Sequence, residues 1–445
     1  MRAATYSLTL DEFRSYAKQG NLIPLFREIL ADHDTPVSAF AKIDHGPSAY
    51  LLESIQGGEK WARYSFLGSG SPLVIYEDRG DLCVKKGSDC RRIPSRGAPL
   101  DRLREIMETY RPVTVPDLPP FVGGAVGYLG YDIVQTFEDL PSRKKEHRDV
   151  PDFAFVLTET LLIFDNVSQK IKVVANAQVK SQSERDIRSA YREATGRIEA
   201  MIARIRRPLR PVKPRRRRTP IRFTVNMSKA KFEKIVSRAQ DYIRAGDIFQ
   251  CVLSQRWETN LQAPPFQLYR ALRLVNPSPY MYYIRIAGVE LVGSSPEILV
   301  RCEDGLVSVR PIAGTRRRGT TMDEDVELER RLLADAKERA EHIMLVDLGR
   351  NDVGRVAEQG SVHVESLMNV ERYSHVMHMV SNVTGTLCQD KTVYDVLKAC
   401  FPAGTVSGAP KIRAMEIIEE RGRARRGRYA GGVGCSSFSG SMGMG

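Results

Sequence analysis

The stretch YMYYIRIAGVELVGSSPEILVRCEDGLVSVRPIAGTRRRG, residues 280–319, decides the fold class. It holds four short runs rich in β-branched and aromatic residues, at 281–286, 289–292, 298–302 and 306–309. Gly288 and Asp304-Gly305 separate them, and these residue types tolerate the backbone of a tight turn. The pattern predicts short strands. Downstream the period changes, and residues 325–348 and 391–400 carry helical patterns. Strands in clusters and helices in clusters, without strict alternation, predict an α+β fold.

The upstream half has the same character. Residues 153–164 and 171–174 are apolar runs, and Asp165-Asn166 between them suggests a hairpin. Residues 10–31 carry short helical patterns. Ile187, Tyr191, Ala194, Ile198, Met201 and Ile205 predict a helix that stops by Pro208. Phe232, Ile235, Val236, Ala239 and Ile243 predict another, closed by Gly246. Between them runs RRPLRPVKPRRRR, residues 206–218, with eight positive charges and no negative ones. It accounts for most of the net charge of +13. Without interleaved aromatics it reads as a self-repelling, proline-stiffened linker, and a nucleic-acid partner is not expected. The chain thus divides into an N-terminal domain at 1–205, a linker at 206–221 and a C-terminal domain at 222–445.

At 445 residues, 42% hydrophobic, the chain can bury a sizeable core without staples, and global disorder is excluded. No apolar run approaches the ~20 residues of a membrane-spanning helix. The first twenty residues lack the apolar stretch of a secretory signal, and no transit peptide is evident. Seven cysteines are scattered without a C-x-x-C pair, the usage of a reducing compartment. A soluble cytoplasmic protein is expected, with a plastid location left open.

Four local patterns bear on chemistry, and each has a plain alternative. Gly404-Thr405-Val406-Ser407-Gly408-Ala409-Pro410-Lys411 fails as a phosphate loop because its Lys is displaced from the last Gly. It still offers backbone N–H groups and two hydroxyls to an oxyanion, or it is an ordinary turn before a helix. Glu338 and Glu341 share a helix face, where they suit a hard cation such as Mg²⁺ or simply a solvated, salt-bridged helix. Glu297, in Ser294-Ser295-Pro296-Glu297, lies beside apolar strands and suits a general acid or an edge position facing water. His375 and His378 lie one turn apart if helical, and two histidines alone make no metal site.

The joint order of the motifs says more than any one of them. LLES at 51–54, RYSFLG at 63–68, PPFVGGAVGY at 119–128, AGDIFQCVLSQR at 245–256, NPSPYMYY at 276–283, GSSPE at 293–297, PIAGTRRRG at 311–319, KERAEHIMLVDLGRND at 337–352, RYSHVMHMVSNVTG at 372–385 and PAGTVSGAPKIRAMEIIEE at 402–420 are collinear across nearly the whole chain. In these stretches the sequence resembles the chorismate-utilising enzymes, and most closely the large subunit, component I, of anthranilate synthase. The resemblance implies two intertwined αβ subdomains with large, mostly antiparallel sheets packed by helices.

It also implies a chemistry. Isochorismate-forming relatives carry a lysine where this chain has Gln250, so Gln250 points to ammonia as nucleophile. Aminodeoxychorismate synthases usually carry a lysine where this chain has Ala313, so that alternative is disfavoured. Glu297 would be the general acid and His378 the histidine near the departing groups. Gly314, Thr315, Thr405 and Tyr429 would bind chorismate, and Glu338 and Glu341 would hold Mg²⁺. Leu52, Glu53 and Ser54, with Asn276, Pro277, Ser278, Pro279, Tyr280 and Met281, would line a tryptophan pocket for feedback inhibition, with Glu53 and Ser54 holding the amino group. A separate glutamine amidotransferase subunit, component II, would supply the ammonia. In relatives the chain runs on with a strand, a further turn and a metal-binding helix, so this sequence reads as a truncated or frameshifted member. A missing final strand would leave its neighbours unpaired, and a catalytically dead tryptophan-binding remnant is a further alternative.

Overall fold

A computed structural model describes residues 6–54, 63–78, 80–95, 98–141, 150–209, 220–373, 375–422 and 424–445. Most of the expected linker, 210–219, lies outside them. The fold is α+β, as the strand and helix clusters predicted. Two large antiparallel sheets dominate, and each draws strands from both sides of the linker.

The seven-stranded sheet runs Leu22–Leu30, Lys170–Gln178, Thr160–Asp165, Tyr64–Ser69, Ala49–Glu53, Tyr280–Ile286 and Val289–Ser295. The twelve-stranded sheet runs Ile312–Arg317, Val376–Thr386, Leu306–Val309, Val300–Glu303, Met442–Met444, Gly432–Ser437, Gly124–Leu129, Phe153–Thr158, Leu73–Asp78, Asp81–Lys86 and Asp89–Pro94, and His363–Arg372 pairs with Val376–Thr386 off this path.

Alternation within the larger sheet explains how the layers stack. Val126, Tyr128, Ala154 and Val156 join the core shared with the seven-stranded sheet. Their neighbours Ala125, Leu129, Phe153, Phe155 and Leu157 join a second core under helices Pro99–Met107, Ala336–Gly354, Val393–Cys400 and Lys411–Arg421. A strand buried on both faces reads as a continuous apolar run, because successive side chains point to opposite faces and both faces are dry.

That same doubling explains one departure from the sequence reading. Residues 153–164 are two strands in two different sheets, and the chain passes between them at Glu159. The hairpin at Asp165-Asn166 is present, with Asp165 opposite Lys170. Residues 10–31 are helical only over Leu10–Ala17. Leu22–Leu30 is a strand, paired residue for residue with Lys170–Gln178. Pro24 cannot sit in a helix interior without breaking it, and five consecutive buried residues, Leu22 to Phe26, fit a covered strand.

The 325–348 pattern is also two helices, Met322–Ala334 and Ala336–Gly354. Asp335 breaks the run by capping the second, accepting from the N–H groups of Lys337 and Glu338. His375 and His378 do not share a helix, since Val376–Thr386 is a strand. The final strand is not missing altogether. Met442–Met444 lies between Gly432–Ser437 and Val300–Glu303 and pairs with both, so their edges there are covered. Finally, the hairpin of Asp81–Lys86 and Asp89–Pro94 joins Cys83 to Cys90 in a disulfide that their scattered spacing did not suggest.

Candidate active site

Three local devices bring distant segments together. The first is a bulge. Ala313 pairs with Met379 and Thr315 with His378, so Gly314 is an extra residue in its strand. Gly314 has φ +74°, and a β-carbon there would lie 2.6 Å from Met379 Cε and 3.3 Å from Glu338 Oε2. Only glycine fits this left-handed, crowded position. The bulge sets the Thr315 hydroxyl 3.0 Å and the Gly314 carbonyl 3.2 Å from His378 Nδ1. A carbonyl can only accept, so Nδ1 carries the proton and Nε2 is the free acceptor. Burial holds the His378 pKa below the ordinary imidazole value, against the upward pull of the Gly314 carbonyl and Glu371. The ring is therefore neutral near pH 7.

The second device is the loop between helices Val393–Cys400 and Lys411–Arg421. Its single 3-10 turn, Gly404–Val406, presents Thr405, whose hydroxyl donates to Glu297 Oε2 at 2.8 Å. Glu297 follows the last strand of the smaller sheet, where Ser295 Oγ accepts from its N–H and donates to its carbonyl. Its carboxyl meets a cavity of about 30 Å³ whose apolar lining includes Leu299, Val309, Pro311, Leu345 and Leu348. Burial pushes its pKa up to about 7, and the Thr405 hydrogen bond only partly opposes this.

The third device is a two-residue ladder. Gln250–Cys251 pairs with Gly408–Ala409, which moors Gln250 to the Thr405 loop. A β-carbon on Gly408, at φ +142°, would stand 2.1 Å from the Gln250 carbonyl oxygen, so the ladder requires glycine there. Gln250 Oε1 is buried and, among the described residues, has no hydrogen-bond partner. It lines a larger open cavity of about 850 Å³ with Glu341, Met344, Leu348, Pro410 and Lys411.

The two helix carboxylates sit at the border of these devices. Glu341 lines the larger cavity, while Glu338 lies beside Gly314. Arg316, which the sequence reading missed, donates to Glu338 at 3.0 Å and to Asp335 at 2.7 Å. Among the described residues no cluster of three or more His, Cys, Asp or Glu is assembled for a metal. Tyr429 is not gathered with the others. It is half-exposed and lines a separate cavity of about 210 Å³ with Met227, Gln255 and Trp257. Arg426 joins the two regions, stacking 5.6 Å from the Tyr429 ring while donating to the Val406 carbonyl at 2.7 Å. Arg316 lies inside the PIAGTRRRG stretch, but neither its role nor that of Arg426 was legible among the many arginines, because both depend on which groups folding brings beside them.

The second predicted site is assembled by strand pairing. Met281 pairs with Glu53 and Tyr282 with Leu52, so residues 52–54 meet the strand that follows Asn276, Pro277, Ser278 and Pro279. Ser278 Oγ accepts from Ser294 Oγ at 2.7 Å, and Asn276 Nδ2 donates to that same Ser294 oxygen at 3.2 Å. Tyr280 opens the Tyr280–Ile286 strand, opposite Ser295. Glu53 differs from the expectation. Its buried carboxylate is already engaged by the Tyr269 hydroxyl and by Arg273 at 3.2 and 3.3 Å. An anion at 4% exposure needs such partners. Ser54 Oγ, by contrast, is buried without a hydrogen-bond partner among the described residues.

Comparisons with known proteins bear on the family and the fold. Residues 59–445 match the chorismate binding enzyme family. The chain is 48% identical to anthranilate synthase component 1 of Synechocystis sp., over 97% of this chain and 88% of that protein. It is 45% identical to anthranilate synthase component 1 of Acetivibrio thermocellus, over 98% of this chain and 88% of that protein. Its fold is similar to the crystal structure of anthranilate synthase component I from Streptococcus pneumoniae TIGR4, with TM-score 0.74 and 35% identity over 94% of this chain and 89% of that one.

Proposed function

From the premise that the chain belongs to the chorismate binding enzyme family, on its anthranilate synthase component 1 branch, we propose a division of labour among its residues. The chain converts chorismate to anthranilate and pyruvate. The observation that carries the residue assignment is Glu297, an acid whose pKa of about 7 leaves it substantially protonated at neutral pH. Hydroxide is a poor leaving group. Glu297 gives its proton to the ring carbon 4 hydroxyl as ammonia bonds to carbon 2, and the hydroxyl departs as water. The side-chain amide oxygen of Gln250, Oε1, buried and unpartnered among the described residues, accepts an N–H of the incoming ammonia. A lysine at that position would repel ammonium and activate water instead.

The second step is loss of pyruvate. His378 Nε2 is the available base for the carbon 2 proton, the bond from the ring to the enolpyruvyl oxygen breaks, and the enol takes a proton at its methylene carbon. The Gly314 bulge and Thr315 fix this imidazole, and Thr405 fixes the acid. Glu338 and Glu341 would hold Mg²⁺. Glu341 lines the larger cavity and Glu338 precedes it by three residues on the same helix, an arrangement that would suit a cation that keeps waters and accepts an oxygen from its substrate. When bound, that ion neutralises the substrate's ring carboxylate. Arg316 occupies Glu338 meanwhile and limits the cost of the clustered acids.

Ala313 is buried against Met379 and offers no nucleophile, which favours this reaction over formation of the 4-amino isomer. A separate component II would deliver ammonia from glutamine. Ser54, with Asn276 to Met281, would bind tryptophan as an inhibitor, Ser54 Oγ taking the amino group in place of the engaged Glu53. The test is incubation with chorismate, ammonium and Mg²⁺, with the product followed by fluorescence and identified by mass and chromatography. Anthranilate is expected, and 4-aminodeoxychorismate would refute the assignment.

A further inference from the structure

One buried ion pair is given no role in that scheme, although its Lys411 lines the larger cavity. Lys411 Nζ donates to Asp352 Oδ2 at 2.7 Å and to the Cys400 carbonyl at 3.2 Å. The two side chains are only 7% and 10% exposed. Neither charge suits its helix. Asp352 stands in the last turn of Ala336–Gly354, where exposed carbonyls disfavour an anion. Lys411 is the first residue of Lys411–Arg421, where free N–H groups disfavour a cation. A buried pair of this kind is a weak source of stability, since apolar side chains of similar volume often do as well.

Its geometry is that of a clasp. Cys400 is the last residue before the 401–410 loop and Lys411 the first after it, so the ammonium closes the base of the loop. Asp352 fastens that base to the helix that carries Glu338 and Glu341. Thr405 sits on the clasped loop and reaches Glu297. The cavity of about 30 Å³ behind Glu297 is lined by Cys400, Thr405 and Asp352 together, so the clasp and the acid share one wall.

We propose that Asp352 and Lys411 are a positioning pair that places the Thr405 hydroxyl on Glu297, acting through the loop and not on the substrate. The inference rests on Glu297 as the acid. Its test uses the double variant Asp352→Asn/Lys411→Met, which removes both charges and leaves no unpaired ion. Folding is checked by circular dichroism and Tm, and kcat and KM for chorismate are measured with ammonium and Mg²⁺. Displacing a positioned group by about 1 Å can cost ~10²-fold, so kcat is expected to fall about 10- to 100-fold, with KM changed less than about threefold. In a Thr405→Val background the same pair of substitutions should cost less than about threefold more, because no hydroxyl is left to place.

Unchanged kcat in the folded double variant would overturn the proposal. So would an equal further loss in the Thr405→Val background, or a rise in KM alone, which would mean that Lys411 meets the substrate. If the double variant fails to fold, Lys411→Arg decides: it keeps the charge with a different reach, so reduced kcat at native Tm supports the clasp and normal kcat refutes it. Glu297→Gln is assayed alongside. An active Glu297→Gln variant removes the acid reading itself, whereas an inactive one beside fully active pair variants removes only the clasp.

Discussion

Replacing Glu297 with Gln should stabilise the protein and silence it at once. A glutamate ordinarily titrates at 4.5, and burial lifts Glu297 to about 7. The folded protein therefore keeps a proton that the unfolded chain gives up between those values. Its contribution to stability is greatest below pH 4.5, falls as the pH rises, and levels off above pH 7. A shift of roughly 2.5 pK units corresponds to about 3 kcal/mol of destabilisation at pH 8. At pH 5.5 the same linkage gives only about 1.4 kcal/mol. Gln has the same shape, still accepts from Thr405, and carries no charge to desolvate. Urea unfolding of both proteins at pH 5.5 and pH 8 should show a variant advantage that grows by about 2 kcal/mol between them. Anthranilate formation should drop by roughly 10²–10⁴-fold, since the leaving hydroxyl loses its proton donor. In the unmodified protein, with free ammonia held saturating at each pH, kcat/KM for chorismate should fall about tenfold per pH unit above pH 7. A stability difference independent of pH, or a variant less stable at pH 8, would show that the carboxyl is not held neutral by burial.

Other perturbations test the remaining parts. Gly408→Ala drives a β-carbon to 2.1 Å from the Gln250 carbonyl oxygen, and should lower stability by about 1–3 kcal/mol and turnover with it, read by Tm and fluorescence. Chelation should abolish turnover, and Glu341→Gln should weaken Mg²⁺ binding in calorimetry by about tenfold or more; an unchanged titration would remove Glu341 from the metal site. Ser54→Ala should weaken tryptophan binding by about 1 kcal/mol in calorimetry without altering kcat. Arg273→Leu leaves the buried Glu53 carboxylate with Tyr269 as its remaining partner, and should cost about 1–3 kcal/mol by urea unfolding.

The sequence by itself determined the fold class and nominated the residues of the candidate site. Turn residues between β-branched runs mark strands because backbone and side-chain preferences are local, and the order of the motifs singled out Glu297, His378, Gln250, Glu338 and Glu341 as candidates. Tertiary structure decided what depends on a partner far away in the chain. Whether residues 22–30 are helix or strand depended on Lys170–Gln178 lying beside them. Residues 153–164 look like one apolar run because both faces of the larger sheet are buried, and only the second sheet reveals the change of layer at Glu159. Glu53 was legible as a polar residue of a pocket, but its engagement required Tyr269 and Arg273, more than two hundred residues on. The strength of Glu297 as an acid is likewise no property of its own segment. It comes from the apolar walls that the Ala336–Gly354 helix and the Thr405 loop build around it, since desolvation is set by everything that surrounds a charge and not by its neighbours in sequence.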